Sequence, residues 1–320
     1  MMDDQIRDDF DRARQKAFLN DIIATATRRE NELVPFHEVR KRVSPEGESY
    51  RGMQTVPIAQ IVGSMDRYGD FDRAFLPRTK ATSGRWKNID RAFYEDVRLP
   101  PIQLYKVGDI YFVKDGNHRV SVARERGVEF IDAEVIEGHL RVPLNSRMTT
   151  QEILLQAEYA EFLRRTNLDR LQPDHDIRPT SLGRYDEIWE QIQGHQDWLT
   201  AIWHRPATVE EAVSDWYTYI YLPIIRVVRD RRVLEEFPDL TEADIYLWVM
   251  RHRYLIEERE GQDPGPVGSA EEYADLMTRP ASVVDRVRSA LGDSPRDPNY
   301  DVEERRRRRI HRWPRARIRF

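Results

Sequence analysis

The 320-residue chain contains no cysteine. That absence removes disulfide scaffolds, Cys-ligated zinc, iron–sulfur clusters and thiol nucleophiles together. Eight histidines remain for titratable chemistry near neutral pH. Long apolar runs are also lacking: none approaches the roughly 20 residues that span a bilayer. Residues 1–9 have neither the cationic start nor the apolar stretch of a secretory leader. A cytoplasmic protein without a membrane partner is expected. Basic charge is not in excess either, since 51 Lys and Arg stand against 56 Asp and Glu, net −5. Such a balance argues against a body coated by nucleic acid. It conceals a split, because residues 301–320 hold nine Arg and three acids, +6, which leaves −11 for residues 1–300.

What is present indicates folded cores. Thirty-two aromatics (7 Trp, 14 Tyr and 11 Phe) are more than disordered chains carry. The length exceeds the roughly 250–300 residues at which single cores stop growing, so two or three units are expected. No internal repeat of fixed period occurs, which excludes a solenoid.

Residues 3–42 read as helix, with Ile6, Phe10, Ala13, Ala17, Ile22 or Ile23 and Ala26 at three- and four-residue steps, until Pro35 and Ser44-Pro45-Glu46-Gly47 interrupt. One stripe of this segment is expected to pack on the next domain. From residue 54 to about 137 the pattern changes to β-branched runs at residues 55–62, 102–106, 109–113 and 131–136, with a tight turn at Val107-Gly108-Asp109. A helix at residues 117–126, ended by Gly127, lies between the last two runs. After Leu144 the chain reads as helical to about residue 290. Thr149–Glu152, Thr208–Glu211 and Thr241–Asp244 have the capping-box spacing. Pro223 is expected to kink residues 216–228 or split them at Leu222. Five of the seven tryptophans fall in this half among tyrosines, as in an aromatic helical bundle. Residues 261–268 read as a loop before a last helix at 270–277 or 281–291.

The stretch with most chemical content is Asp115-Gly116-Asn117-His118-Arg119. A strand runs into it, Gly116 permits a backbone turn that other residues resist, and a helix begins at once. The free amides and the positive end of the helix dipole then form an anion site. Arg119 adds a forked charge, His118 a donor or titratable group, and Asp115 a cap or a magnesium-bound water. An ordinary turn with solvated arginines accounts for the same five residues.

Val56-Pro57-Ile58-Ala59-Gln60-Ile61, then Pro100-Pro101-Ile102-Gln103-Leu104-Tyr105, then the 115–119 box occur in the order and at the spacing of the ParB/sulfiredoxin superfamily. About residues 54–137 resemble that superfamily. The resemblance implies an α+β fold: a ParB/sulfiredoxin-like domain with a small mixed sheet at residues 46–144, preceded by a helical segment at 1–45. An all-α domain at 145–292 and a basic tail at 293–320 would follow. It also implies a nucleotide, CTP, ATP or ADP, together with Mg2+, held by Asp115, Gly116, Asn117, His118 and Arg119. ParB-type clamps share the Gly-x-x-Arg core but carry Glu-Arg-Arg where Asn117-His118-Arg119 stands. Sulfiredoxins share His118-Arg119, but a cysteine occupies the place of Asn117, so sulfinic-acid repair is excluded. Free-serine kinases carry a box that differs only at Asn117.

A nucleotide-binding regulator, transcriptional or DNA-associated, is therefore the leading expectation, with a serine-like small-molecule kinase as the enzymatic alternative and a nucleotide-free protein-interaction module as the third. Turnover, as hydrolase or kinase, stays open. A kinase needs a general base, and Asp66, Asp70, Asp72, Asp132 and Glu134 are the candidate acids, with Arg67 and Arg73 as further phosphate ligands. No helix-turn-helix pair follows Leu144. Residues 182–189 and 237–248 instead resemble a helical domain found beside unlike N-terminal modules, which tells architecture and not chemistry; a protein partner is the expectation for this half. Asp174-His175-Asp176, with His195, His204 or His252 brought near, matches no metal-ligand spacing. The tail from Arg305 to Arg319 either contacts nucleic acid or neutralises the acidic body.

Overall fold

The computed structural model describes residues 2–27, 31–42, 47–138 and 142–277. The basic tail, the candidate helix at 281–291 and Ser44-Pro45-Glu46 lie outside the described residues. The chain forms two compact units, residues 1–161 and 162–320.

The first unit is α+β. Its elements run α1 (Met2–Thr27), β1 (Val34–Pro35), α2 (Phe36–Arg42), β2 (Glu48–Pro57), β3 (Ile61–Ser64), α3 (Ser83–Tyr94), β4 (Ile102–Val107), β5 (Ile110–Asp115), α4 (Asn117–Glu125), β6 (Phe130–Gly138) and the start of α5 (Thr150–Thr166). The strands make one six-stranded mixed sheet in the order β1-β3-β5-β4-β6-β2. β1, β3 and β5 run parallel, β4 returns antiparallel to β5 from a two-residue turn with Gly108 at φ +59°, and β6 runs parallel to β4.

Side chains alternate across this sheet with the period of two that a pleated strand imposes. Ile102, Leu104, Tyr111, Val113, Ala133 and Val135 face one core, which α4 closes with Val120 and Ala123. Tyr105, Val107, Ile110 and Phe112 face another, closed by Phe36 and Val39 of α2 and Ile153 and Ala157 of α5. A third cluster joins three helices through Phe10, Ala13 and Ala17 of α1, Trp86 of α3 and Val122 of α4.

Three expectations from the sequence are corrected. The helix expected at 3–42 ends at Thr27, and Val34–Pro35 joins the sheet edge instead. A proline is tolerated there because one side of an edge strand needs no donor. Gly63 makes the pairing possible: a Cβ at that position would lie 2.2 Å from the Val34 carbonyl oxygen. The apolar stripe of α1 is buried only as far as Ala17, and Ile22 and Ile23 are exposed. The run at residues 55–62 is not one strand, because a single 3-10 turn, Ile58–Gln60, separates β2 from β3 and carries the chain between strands at different places in the sheet.

In the second unit every described element is helical: α6 (Leu168–Leu171), α7 (Arg184–Trp203), α8 (Val209–Trp216), α9 (Leu222–Asp230), α10 (Glu242–Glu260) and α11 (Gly265–Met277), with short 3-10 and π turns between. All three capping boxes form, at Thr149, Thr208 and Thr241. A π turn, Tyr217–Tyr221, joins α8 to α9 with helical backbone throughout, so the helix is widened just before Pro223 and is not split at Leu222. Pro223 has no N–H to continue the ladder. The aromatics form the interior, where Trp216 Nε1 donates to Tyr246 Oη at 2.9 Å and the Tyr246 hydroxyl donates to Gln191 Oε1. Among the described residues, no helix is long and apolar enough to cross a membrane.

Trp86 is fully buried and donates Nε1–H to Ser121 Oγ at 2.9 Å, tying α3 to α4. Trp86→Ala removes the ring and strands that hydroxyl. It is expected to destabilise the first unit by about 3–5 kcal/mol, read as a lower urea midpoint with an unchanged slope.

Candidate functional site

β3 and β5 are parallel neighbours, with Ile61 opposite Tyr111 and Ser64 opposite Val113, so the loops after both strands open at the same edge of the sheet. The main chain holds them together there: Met65 N donates to the Val113 carbonyl at 2.9 Å, and Arg67 N donates to Ser64 Oγ at 3.3 Å. This adjacency brings the 65–72 loop against the Asp115–Arg119 box.

Within the box the strand becomes a helix through one residue. Gly116 sits at φ +108°, and a Cβ on it would lie 2.4 Å from Ile102 Cγ2. No side chain caps α4, and the amides of Asn117, His118 and Arg119 have no acceptor among the described residues. The expectation that Asp115 caps the helix is thus corrected. Its exposed carboxylate accepts from Arg119 Nη2 instead.

Asn117 and His118 are both more than nine-tenths buried, at 7% and 8% exposure. Asn117 Oδ1 and His118 Nδ1 are buried without a hydrogen-bond partner. On its other side the His118 ring has Nε2 2.9 Å from Arg67 Nη1, and it meets Phe71 edge-on at 5.4 Å. Burial first, then the nearby Arg67 and Arg85 charges, pull the His118 pKa down to about 4, against a smaller opposing effect of Asp70. The ring is therefore neutral at pH 7.

Arg119 is less free than a solvated helix residue. Its Nη1 donates to the Pro100 and Pro101 carbonyls and its Nη2 to Asp115, which leaves two of the five guanidinium N–H groups for a ligand. Arg67 bridges His118 and Asp70, whose Oδ2 lies 3.1 Å from Arg67 Nε.

The other candidates separate clearly. Asp70 is linked to the box through Arg67. Asp72 is buried, accepts from Leu76 N and Asn20 Nδ2 at 2.8 Å each, and has its pKa raised chiefly by burial, which is a structural role. Asp132 accepts from Thr55 and Glu134 from Gln103 across the strands, and Asp66 is exposed. Arg73 donates to the Val62 and Met148 carbonyls, so it pins the loop and is not aimed at a phosphate. Arg124 donates to the Ile58, Ile61 and Arg73 carbonyls and lies over the Phe75 ring.

The second unit does not assemble the histidines. His195 Nε2 lies 2.7 Å from Asp215 Oδ1, His175 Nδ1 contacts the Gln172 carbonyl, His204 is exposed, and His252 packs on Tyr273. Among the described residues, no group of three His, Asp or Glu side chains is arranged to hold a metal ion.

The chain matches no protein-family model and no curated protein. The chemistry of the site therefore rests on its own geometry: uncapped amides, a buried neutral histidine and two arginines at one sheet edge. The Arg67–His118 contact joins residues 51 apart, and no local pattern encodes it. Its only trace in the sequence is that both residues follow strands.

Two outcomes test this geometry. Gly116→Ala combines a positive φ with a clash against Ile102. It is expected to cost at least about 2 kcal/mol in urea unfolding. His118 gives a pH signature, because between about pH 6.5 and 4 the unfolded chain binds a proton there that the folded chain does not. Stability contributed at this position therefore falls as pH drops through that window. The loss of unfolding free energy between about pH 7 and pH 5 should be smaller in His118→Gln than in the wild type.

Proposed function

We propose that the first unit binds the phosphates of a nucleoside di- or triphosphate, CTP, ATP or ADP, at the start of α4. The protein then acts as a nucleotide-responsive regulator whose helical unit serves a partner. The observation that carries this reading is a buried, unpartnered ring nitrogen, His118 Nδ1, in the first turn of an uncapped helix. Buried polar groups in native proteins are almost always satisfied, and an unsatisfied one costs about 1–3 kcal/mol. A phosphate group supplies the acceptors that uncapped amides and an N–H need, and the helix dipole and neighbouring guanidinium groups favour its charge. The order of strand, Gly turn and helix supports a ParB/sulfiredoxin-like origin for the domain. Magnesium travels with the nucleotide phosphates and needs only one or two protein carboxylates. Asp115 and Asp70 are the carboxylates at this edge.

One observation favours a second reading, a small-molecule kinase: Asp70, alone among the candidate acids, is linked to the box, through Arg67. A carboxylate at that place can take the proton of an acceptor hydroxyl.

Titration with CTP, ATP and ADP in the presence of magnesium tests both. At a ligand concentration of about 100 Kd the unfolding free energy should rise by about 2.7 kcal/mol. The rise should shrink strongly in Arg119→Ala, measured against that variant's own baseline. No response of the wild type to any of the three nucleotides would sink both readings. Binding accompanied by phosphate transfer to a small hydroxyl compound selects the kinase, and binding without turnover selects the regulator.

A further inference from the structure

A guanidinium carries five donors and no acceptor. Arg67 Nη1 stands 2.9 Å from His118 Nε2, so that nitrogen can only accept. A neutral imidazole that accepts on Nε2 must carry its proton on Nδ1. Nδ1 is the atom that has no partner, in a side chain more than nine-tenths buried, on the first turn of α4. Arg67 is itself held by Asp70 through Nε and by Ser64 Oγ through its main-chain N–H, so its fork is presented at a fixed angle. The groups that face the ring are Arg67, Asp70 and Phe71 from the loop after β3 and Arg85 from α3.

Resting on the anion-site reading above, we propose that Arg67 is a positioning residue that fixes His118 as its Nδ1–H tautomer. At this ring the site then meets a ligand with a neutral histidine donor, which takes a group that accepts there, such as a deprotonated phosphate oxygen. His118 is not the general base of any phosphoryl transfer at this edge, because the nitrogen left for the ligand already carries its proton and the other is occupied by Arg67. A transfer reaction would have to use a carboxylate. The device also keeps the donor present through the neutral pH range, where an ordinary histidine would change charge.

The test uses full-length protein with 15N-labelled histidine rings and ring nitrogen–proton correlation spectra at about pH 7. His118 is identified as the signal lost in His118→Asn. Expected is a protonated Nδ1 and a bare Nε2 in the wild type and in Arg67→Lys, which keeps a donor-only head group. Arg67→Met should shift the ring toward the Nε2–H form while circular dichroism and the thermal transition stay in place. ADP with magnesium should then bind about 10-fold or more weakly to Arg67→Met, with most of the affinity retained in Arg67→Lys. A wild-type proton on Nε2, or an Arg67→Met ring that keeps Nδ1–H, overturns the positioning role whatever ADP does. In the latter case any lost affinity reports charge alone. If the tautomer is as stated but wild-type protein binds none of CTP, ATP and ADP, the anion-site reading falls, and the donor role falls with it.

Discussion

The first unit turns on one residue of backbone. At Gly116 the chain leaves β5 and enters α4 with no linker, at a positive φ and in contact with Ile102 of the neighbouring strand. A longer turn would let the helix start in solvent. This one forces α4 down onto the sheet face, where Val120 and Ala123 complete the core, and it carries Asn117 and His118 into the interior with them. The buried polar pair is a direct consequence of the short turn. So is the position of Arg124, two turns along, where its guanidinium donates to the Ile58 and Ile61 carbonyls at the break between β2 and β3. Burial lowers the pKa of that arginine to about 10, which still leaves it charged at pH 7 and able to act as the pin of the loop.

Electrostatics at the same edge favour one sign of ligand. His118 is held neutral by burial and by Arg67 and Arg85, so the ring adds a dipole and a donor without adding a third positive charge to be desolvated. Arg119 is already matched by Asp115. What remains is a modest positive field from uncapped amides and partly engaged guanidinium groups, and little structural change is needed to present it. Preorganised donors of this kind lose less entropy on binding than flexible ones. An overall acidic balance is no obstacle, because Coulomb energies at contact distance are set by the nearest few groups.

Features encoded over a few residues were legible in the sequence. The Val107-Gly108-Asp109 turn, the helix stop at Gly127 and the three capping boxes all depend on the conformational limits of single residues. Features created by strand adjacency were not. β1 is two residues long, and it is a strand only because Gly63 lets Val34 approach β3. The α1 stripe looks continuous past Ala17, but periodicity says which face is apolar and not how far its partner extends. Asp70 and Asp72 look alike on the page of letters, two residues apart beside aromatic and basic neighbours. In space one is paired to Arg67 and the other is buried holding a main-chain amide. The Arg67–His118 contact is likewise a product of β3 lying beside β5.

The distinction between a binding site and a turn that only builds the fold comes down to what positions 117 and 118 are asked to do. Besides Arg14 Nε, three other buried, unpartnered atoms are described in the first unit: Asp90 keeps Arg126 on its second oxygen, and Arg78 and Arg124 keep partners on their terminal nitrogens. Each of these three is the leftover atom of a long or forked group bonded elsewhere within the protein, as the His118 ring is through Nε2. Asn117 and His118 are different in that two consecutive residues leave polar atoms unmatched at a helix start that is itself uncapped. If the turn served folding alone, apolar side chains of similar volume would fill the same space without the desolvation cost of about 1–3 kcal/mol per group. A polar side chain at position 118 makes sense when a ligand supplies the acceptor that the fold does not.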